Sequence, residues 1–326
     1  MRNHFPRHRH QLPQLDGRLF LSDGGLETTL IFHEGWELPM FAAFPLLESD
    51  GGVAALRDYF DRYIPLAARS GTGFILEAPT WRANPDWGAK LGYDMERLAE
   101  VNRLAVALLQ DLATANESEQ MPMLVSGCIG PRGDGYDPGN VMRAEDAQAY
   151  HAWQIGIFKD AGVDLVSAYT LTNINEAVGV ASAAKAADMP CALSFTLETD
   201  GKLPTGETLR EAITVVDMET GASPAYYMIN CAHPTHFHDT LEDGADWMHR
   251  IRGLRANSSE RSHAELDNAP DLDIGNPAQL SEQYATLRRR FPHITILGGC
   301  CGTDHRHLHS IAEACGSASS KSAPAA

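Results

Sequence analysis

The 326-residue chain contains no run approaching about 18 consecutive apolar residues, the length that a membrane-spanning helix requires, so no membrane contact is expected. Its opening ten residues are basic, but no apolar core follows them, and a secretory leader is not expected. Basic residues are scarce: 26 Lys and Arg stand against 43 Asp and Glu, for a formal net charge of -17. Such an acidic surface repels nucleic acid and anionic lipid. Cysteines number only 6, too few to staple a chain of this length, and two are adjacent, a poor disulfide geometry. A reducing cytoplasm suits that usage. No Pro- or Ser-rich linker divides the sequence, no repeat of fixed period is present, and no apolar run leads into a G-x-G-x-x-G phosphate loop. What remains is ordinary globular composition, 44% hydrophobic and 21% charged, with ample length for a buried core.

Short apolar runs alternate with longer stretches of helical period. Eight runs predict strands: 18–21, 73–77, 123–128, 164–168, 191–195, 226–231, 251–256 and 294–297. Helices are predicted over 94–112, 144–161, 177–187 and 277–291. In the first of these, Leu98, Val101, Leu104, Ala105 and Leu108 recur at three- and four-residue steps and make one apolar stripe. Eight strand–helix units in about 300 residues point to a single-domain α/β protein, a (β/α)8 barrel. The expected organisation is a flexible arm over 1–16, the barrel over 17–315, and a small, polar, disordered tail over 316–326.

In such barrels the chemistry sits at the C-terminal ends of the strands. Cys231 ends the sixth run, and the pair Cys300-Cys301 follows the eighth inside Gly298-Gly299-Cys300-Cys301-Gly302-Thr303. Successive strand residues point to opposite faces, so both thiols reach one place only where the flanking glycines let the backbone turn out of the strand. Three thiolates at that mouth form a soft zinc site with its fourth position open. On the residues alone, the other reading is three small buried hydrophobes. Cys128 stands alone at a strand end, Cys191 begins a strand at the opposite face and Cys315 lies in the last helix; all three read as packed.

Several motifs resemble the homocysteine S-methyltransferase family in its single-domain, cobalamin-independent form, with betaine–homocysteine methyltransferase as a more distant relation. Ser22-Asp23-Gly24-Gly25-Leu26-Glu27-Thr28 is similar to the family's first-strand motif, and Ser126-Gly127-Cys128-Ile129-Gly130-Pro131 to its small-Ile-Gly-Pro loop. Ile229-Asn230-Cys231-Ala232-His233-Pro234 and the Cys300-Cys301 segment resemble its two zinc-cysteine motifs, in the family's order and spacing. The resemblance spans roughly 19–314. It implies a (β/α)8 barrel, Zn2+ held by Cys231, Cys300 and Cys301, and methyl transfer to a thiol.

A free alkyl thiol, with a pKa of about 8.5, is mostly protonated at neutral pH, and a metal deprotonates it. The substrate sulfur is then the nucleophile, and no protein group need act as general base or form a covalent intermediate. The partners are a small-molecule thiol acceptor, homocysteine or a close thiol, and a cationic methyl donor such as S-methylmethionine or S-adenosylmethionine. This is a step of methionine biosynthesis. Candidate substrate-binding residues are Asp23, Glu27, Glu77, Tyr169 and Asn230. Asp23 would orient the substrate amino group or the donor, or simply end the strand in a tight turn. Glu27 is a mouth carboxylate or a helix-start charge, Glu77 ends the second run, and Asn230 adjoins Cys231, where it would donate to a sulfur. At Ala168-Tyr169-Thr170, family members commonly carry Phe-Glu-Thr, whose glutamate helps to bind the homocysteine amino group. Tyr169 keeps a hydroxyl but no charge, so Glu27, Asp23 or Glu77 takes over, or the acceptor is a different thiol. The Tyr169 ring would otherwise face a cationic donor. Trp36, Trp81 and Trp87 are candidates to line a sulfonium pocket, and the glycine-rich segment 131–136 to close over it.

Two other readings compete. His233, His236 and His238 are dense enough for a metal-dependent barrel hydrolase, although the first strand lacks the His-x-His that such barrels usually carry. A non-catalytic, zinc-stabilised barrel that binds a small molecule is the other. His305, His307 and His309, at the start of the last helix, are expected on the surface.

Overall fold

The computed structural model describes residues 5–267, 269 and 271–316. Eight parallel strands close into a barrel in sequence order: β1 (Phe20–Leu21), β2 (Gly73–Glu77), β3 (Met123–Ile129), β4 (Leu165–Leu171), β5 (Cys191–Phe195), β6 (Tyr226–Asn230), β7 (Ile251–Ala256) and β8 (Ile296–Gly299). Each predicted run overlaps one of them, and β3, β4 and β8 extend past the predicted ends. The strands are covered on both faces, so their sequences read as unbroken apolar runs rather than alternating ones. β1 pairs with both β2 and β8, which shuts the barrel and brings Asp23 beside the cysteine segment.

β4 runs three residues beyond its predicted end, with a register shift against β5 between Ala168 and Leu171. The irregularity sits where Thr170 takes a left-handed backbone, φ 61. A branched residue there is strained, and such strain is characteristic of functional positions.

The outer helices start and stop where their end chemistry dictates. The side chains of Asp94, Asn173 and Thr208 each accept a backbone N–H in the first turn, Thr208 through a reciprocal capping box with Glu211. The predicted 94–112 helix runs as Met95–Asn116, a turn longer, and buries Leu98, Val101, Ala105 and Leu108. Leu104 does not join that stripe: it is 39% exposed, on the flank of the buried face. The other predicted helices are Ala144–Ala161, Ile174–Ala186 and Pro277–Arg290.

Residues 5–16 of the expected arm lie under the barrel floor. The Arg7 and His8 backbone N–H groups donate to Asp164 Oδ1 at 2.8 and 2.7 Å, and Thr295 Oγ1 donates to the Gln14 carbonyl at 3.2 Å. A carboxylate buried just before β4 needs such donors. The expected tail lies outside the described residues, apart from Gly316, which ends the last helix. Among the described residues, no helix is long and apolar enough to cross a membrane.

Candidate metal and substrate site

Two strand ends deliver the sulfurs. β6 stops at Asn230, and Cys231 turns out of the strand with φ 52, a left-handed conformation unusual for a residue with a side chain. β8 stops at Gly299, and the next two residues curl over the mouth. The Cys300 N–H donates to the Ala256 carbonyl at 2.8 Å, and the Cys301 carbonyl accepts from the Ser258 N–H at 3.1 Å. This turn packs on the first-strand motif so closely that a Cβ on Gly25 would stand 2.5 Å from the Cys300 carbonyl oxygen, so only glycine fits there. The Sγ atoms of Cys231, Cys300 and Cys301 all lie within 4.8 Å of one another. Those of Cys231 and Cys300 are in disulfide contact, with Cα atoms 5.5 Å apart, and Cys301 takes no part in that pairing. Among the described residues, no other set of three or more His, Cys, Asp or Glu side chains converges in this way.

Each sulfur has a polar neighbour from a different part of the barrel. Asn230 Nδ2 lies 3.9 Å from Cys300 Sγ, Thr170 Oγ1 lies 3.9 Å from Cys231 Sγ, and the Tyr136 hydroxyl lies 3.6 Å from Cys301 Sγ. Asn230 is itself held firmly, because its Oδ1 accepts from Ser194 Oγ at 2.6 Å and from the Thr170 N–H at 2.9 Å.

The sulfurs border a cavity of about 450 Å³ that is open to solvent at the C-terminal face of the barrel. Asp23, Glu27, Glu77 and Tyr169 line it with them, so the sequence candidates all reach one space. They are not equivalent. Asp23 is spoken for: its Oδ1 stands 2.8 Å from Arg255 Nη1, and its Oδ2 accepts from the Tyr59 hydroxyl at 3.0 Å. Arg255 also donates to Ser22 Oγ and to the carbonyls of Gly24 and Gly299, which ties β1, β7 and β8 together beneath the cavity. Glu77 is 6% exposed; Oε1 accepts from the Tyr169 hydroxyl at 2.7 Å, while Oε2 has no hydrogen-bond partner. Burial raises the Glu77 carboxyl above its ordinary range, and the Arg255 guanidinium and the Tyr169 hydrogen bond oppose that rise. Burial also pushes the Glu27 carboxyl up to about 7, with the Asp23 charge adding to it. The Tyr169 ring faces a cation of the protein itself, with the Arg255 guanidinium 5.1 Å from its centroid.

The remaining aromatic and thiol candidates fall into place around this space. Trp81 lines the cavity. Trp81 and Trp87 sandwich the buried Arg82 guanidinium, at 4.1 and 3.8 Å from their ring centroids. Trp36 packs partly buried against the core. Cys128 lines the cavity, where burial and the neighbouring carboxylates hold its thiol well above the usual range, so it stays neutral. Cys191 and Cys315 are buried in the core.

The histidines do not assemble. His236 Nε2 donates to the Glu260 carbonyl at 2.8 Å, His238 is exposed beside Asp239, and His233 caps the turn Pro234–Phe237. One expectation is corrected here: His307 is fully buried, not on the surface. It lies 3.2 Å from Asp304 Oδ1 and donates through Nε2 to the Ile274 carbonyl at 2.8 Å, because the last helix turns that face onto the barrel.

Sequence reasoning missed Arg255, Arg82, Thr170 and His263 as site residues, and it offered the segment 131–136 without singling out Tyr136. Arg255 had a signal: it is a charge inside a run that must be buried on both faces. His263 had none, since it comes from the long segment after β7, yet its Nε2–H donates to the Cys231 carbonyl at 2.5 Å.

A closed (β/α)8 barrel whose mouth gathers three cysteine sulfurs and several carboxylates around one cavity has the layout of the barrel enzymes, which keep their chemistry at the C-terminal ends of the strands. The comparisons then settle the family. The homocysteine S-methyltransferase model matches residues 20–315, and the chain belongs to that family, which makes it a methyltransferase. Among solved structures, it is similar to the homocysteine methyltransferase MmuM of Escherichia coli in its metallated form, with 20% identity, TM-score 0.70, 91% of this chain and 96% of that one covered. The oxidized form of MmuM gives 22% identity, TM-score 0.71 and coverages of 90% and 95%. At these identities the likeness speaks for the fold.

Proposed function

We propose that the protein is a zinc-dependent methyltransferase that moves a methyl group from a sulfonium donor to the sulfur of homocysteine. The observation that carries the reading is the convergence of Cys231, Cys300 and Cys301 at the open end of the barrel. Tetrahedral zinc with Zn–S bonds of about 2.3 Å needs its sulfurs roughly 3.8 Å apart, and the trio is gathered within 4.8 Å. The donor set is soft, and the cavity leaves room on its open side for a fourth ligand. Metal binding requires Cys231 and Cys300 as thiolates, so the reading concerns the reduced protein. When bound there, zinc would hold an incoming thiol in its deprotonated, nucleophilic form.

The chain's own residues supply the rest. Glu77 Oε2 is buried, unpartnered and at the cavity wall, and it docks the ammonium of the acceptor. Tyr169 brings no charge of its own where the family has glutamate; its hydroxyl instead holds the Glu77 carboxylate from two strands away, and Glu77 supplies the negative charge. Asp23 is held by Arg255 and shapes the wall rather than binding substrate. Glu27 faces a space rich in acceptors and thiolates, which favours a cationic donor over an anionic one. Displacement moves the methyl from sulfonium to thiolate, forms one C–S bond as another breaks, and cancels both charges. No protein group has to accept a proton in that step.

A mass-spectrometric screen of the reduced, zinc-loaded protein tests the reading, with homocysteine and cysteine offered against S-methylmethionine, S-adenosylmethionine and a betaine. Methionine is expected from homocysteine and a sulfonium donor. Bound zinc should be lost in Cys231→Ser and retained in His236→Ala. Full turnover after exhaustive chelation, or no methylated product with any pair, would refute it.

A further inference from the structure

Resting on that reading of the cysteine trio, we propose that Tyr136 is a positioning residue of the metal site. It acts as a latch, and its hydroxyl joins the loop after β3 to the Cys301 sulfur. Nothing in the strand pattern requires this. Tyr136 comes from the third strand's loop, while Cys301 follows the eighth, on the other side of the mouth. The hydroxyl nonetheless reaches to 3.6 Å from Cys301 Sγ.

Two arrangements hold it there. On the near side the loop is pinned from below. The Gly133 carbonyl accepts from Arg82 Nη1 at 3.0 Å and from Trp87 Nε1 at 3.2 Å, and the Asp134 carboxylate lies 3.6 Å from Arg82 Nη2. Asp134 Oδ1 also accepts the Tyr136 N–H at 2.8 Å, which sets the turn that aims the ring. On the far side the ring stacks on His263, with centroids 4.0 Å apart and planes 20° from parallel. His263 is fixed in turn by its bond to the Cys231 carbonyl and by Glu198 Oε1 at 3.1 Å from Nδ1. One aromatic side chain thus touches the surroundings of two of the three sulfurs.

A hydrogen bond to a metal-bound thiolate withdraws charge from the sulfur, and such outer contacts tune metal centres as much as the ligands do. With the latch closed, Cys301 donates less charge to the metal. With the loop lifted, it donates more. Loop position is therefore coupled to the electron richness of the centre that activates the acceptor thiol.

Cobalt(II) substituted into the reduced protein reads this without turnover, through the thiolate-to-cobalt charge-transfer band and the ligand-field bands. Tyr136→Phe keeps the ring stack and removes the hydroxyl. It is expected to move the charge-transfer band to longer wavelength while the tetrahedral ligand-field bands stay in place. Tyr136→Leu, lacking both, should show the same shift. Superimposable charge-transfer bands in wild type and Tyr136→Phe would overturn the latch while leaving the metal site intact. So would a shift in Tyr136→Leu alone, which would assign the effect to the stack, or loss of the tetrahedral bands in Tyr136→Phe. Failure of the wild-type protein to bind cobalt would instead remove the metal reading beneath it.

Discussion

Replacing Glu77 with Gln separates acceptor recognition from everything else in the site. The change is nearly isosteric. The amide oxygen can still accept from the Tyr169 hydroxyl, now 2.7 Å from Oε1, so the packing of β2 against β4 across the cavity is retained. What disappears is the negative charge on Oε2, the atom without a partner. A hydrogen bond to a charged group is worth about 1.5–3 kcal/mol, which corresponds to about a 10- to 150-fold loss in kcat/KM. That loss should be confined to homocysteine. Its analogue without the amino group, 4-mercaptobutyrate, should react equally with both proteins, because it never uses Oε2. Stability should move the opposite way. Burial raises the folded-state pKa of Glu77, so as pH rises the unfolded chain sheds this proton first. Above the unfolded pKa, the ionised carboxylate therefore costs stability, and Gln removes that cost. The urea midpoint of Glu77→Gln at pH 7 is expected to stay level or rise. Equal losses for the two thiols, or a homocysteine loss that tracks destabilisation, would refute the assignment.

The other consequences are simpler to read. Glu27, raised to about 7 mainly by burial, gains its charge as pH climbs through neutrality. The KM for a sulfonium donor, at saturating acceptor, should therefore fall across that range in wild type and stay flat in Glu27→Gln. The same raised carboxyl makes stability decline between the unfolded value near 4.5 and about 7, a slope that Glu27→Gln should flatten in urea titrations. Arg255→Leu leaves Asp23 as a buried, unpaired charge, and removing one partner of such a pair costs about 3–5 kcal/mol. Denaturant unfolding should show that loss, and Asp23→Asn combined with Arg255→Leu should recover part of it. A single-mutant cost below about 1 kcal/mol would contradict the pairing.

The sequence by itself determined the barrel and the cysteine trio. Strands buried on both faces must be apolar throughout, so eight short runs stand out from the polar loops, and Gly298-Gly299 close β8 immediately before the cysteine pair. Chain order then places Cys231 and the Cys300-Cys301 pair at one end, because parallel strands share a direction. The tertiary structure alone decided which carboxylate meets the buried guanidinium. Asp23, Glu27 and Glu77 look alike in sequence, and only closure of β1 against β8 brings Arg255 onto Asp23, while Glu77 Oε2 is buried at the cavity wall without a hydrogen-bond partner. It also decided what the fourth-strand tyrosine does, since the Tyr169–Glu77 bond joins residues 92 positions apart. His307 and Tyr136 make the same point from helix and loop. Local pattern tells which residues are polar, but the partner that each polar atom finds is set by contacts between distant segments, and periodicity carries no record of those.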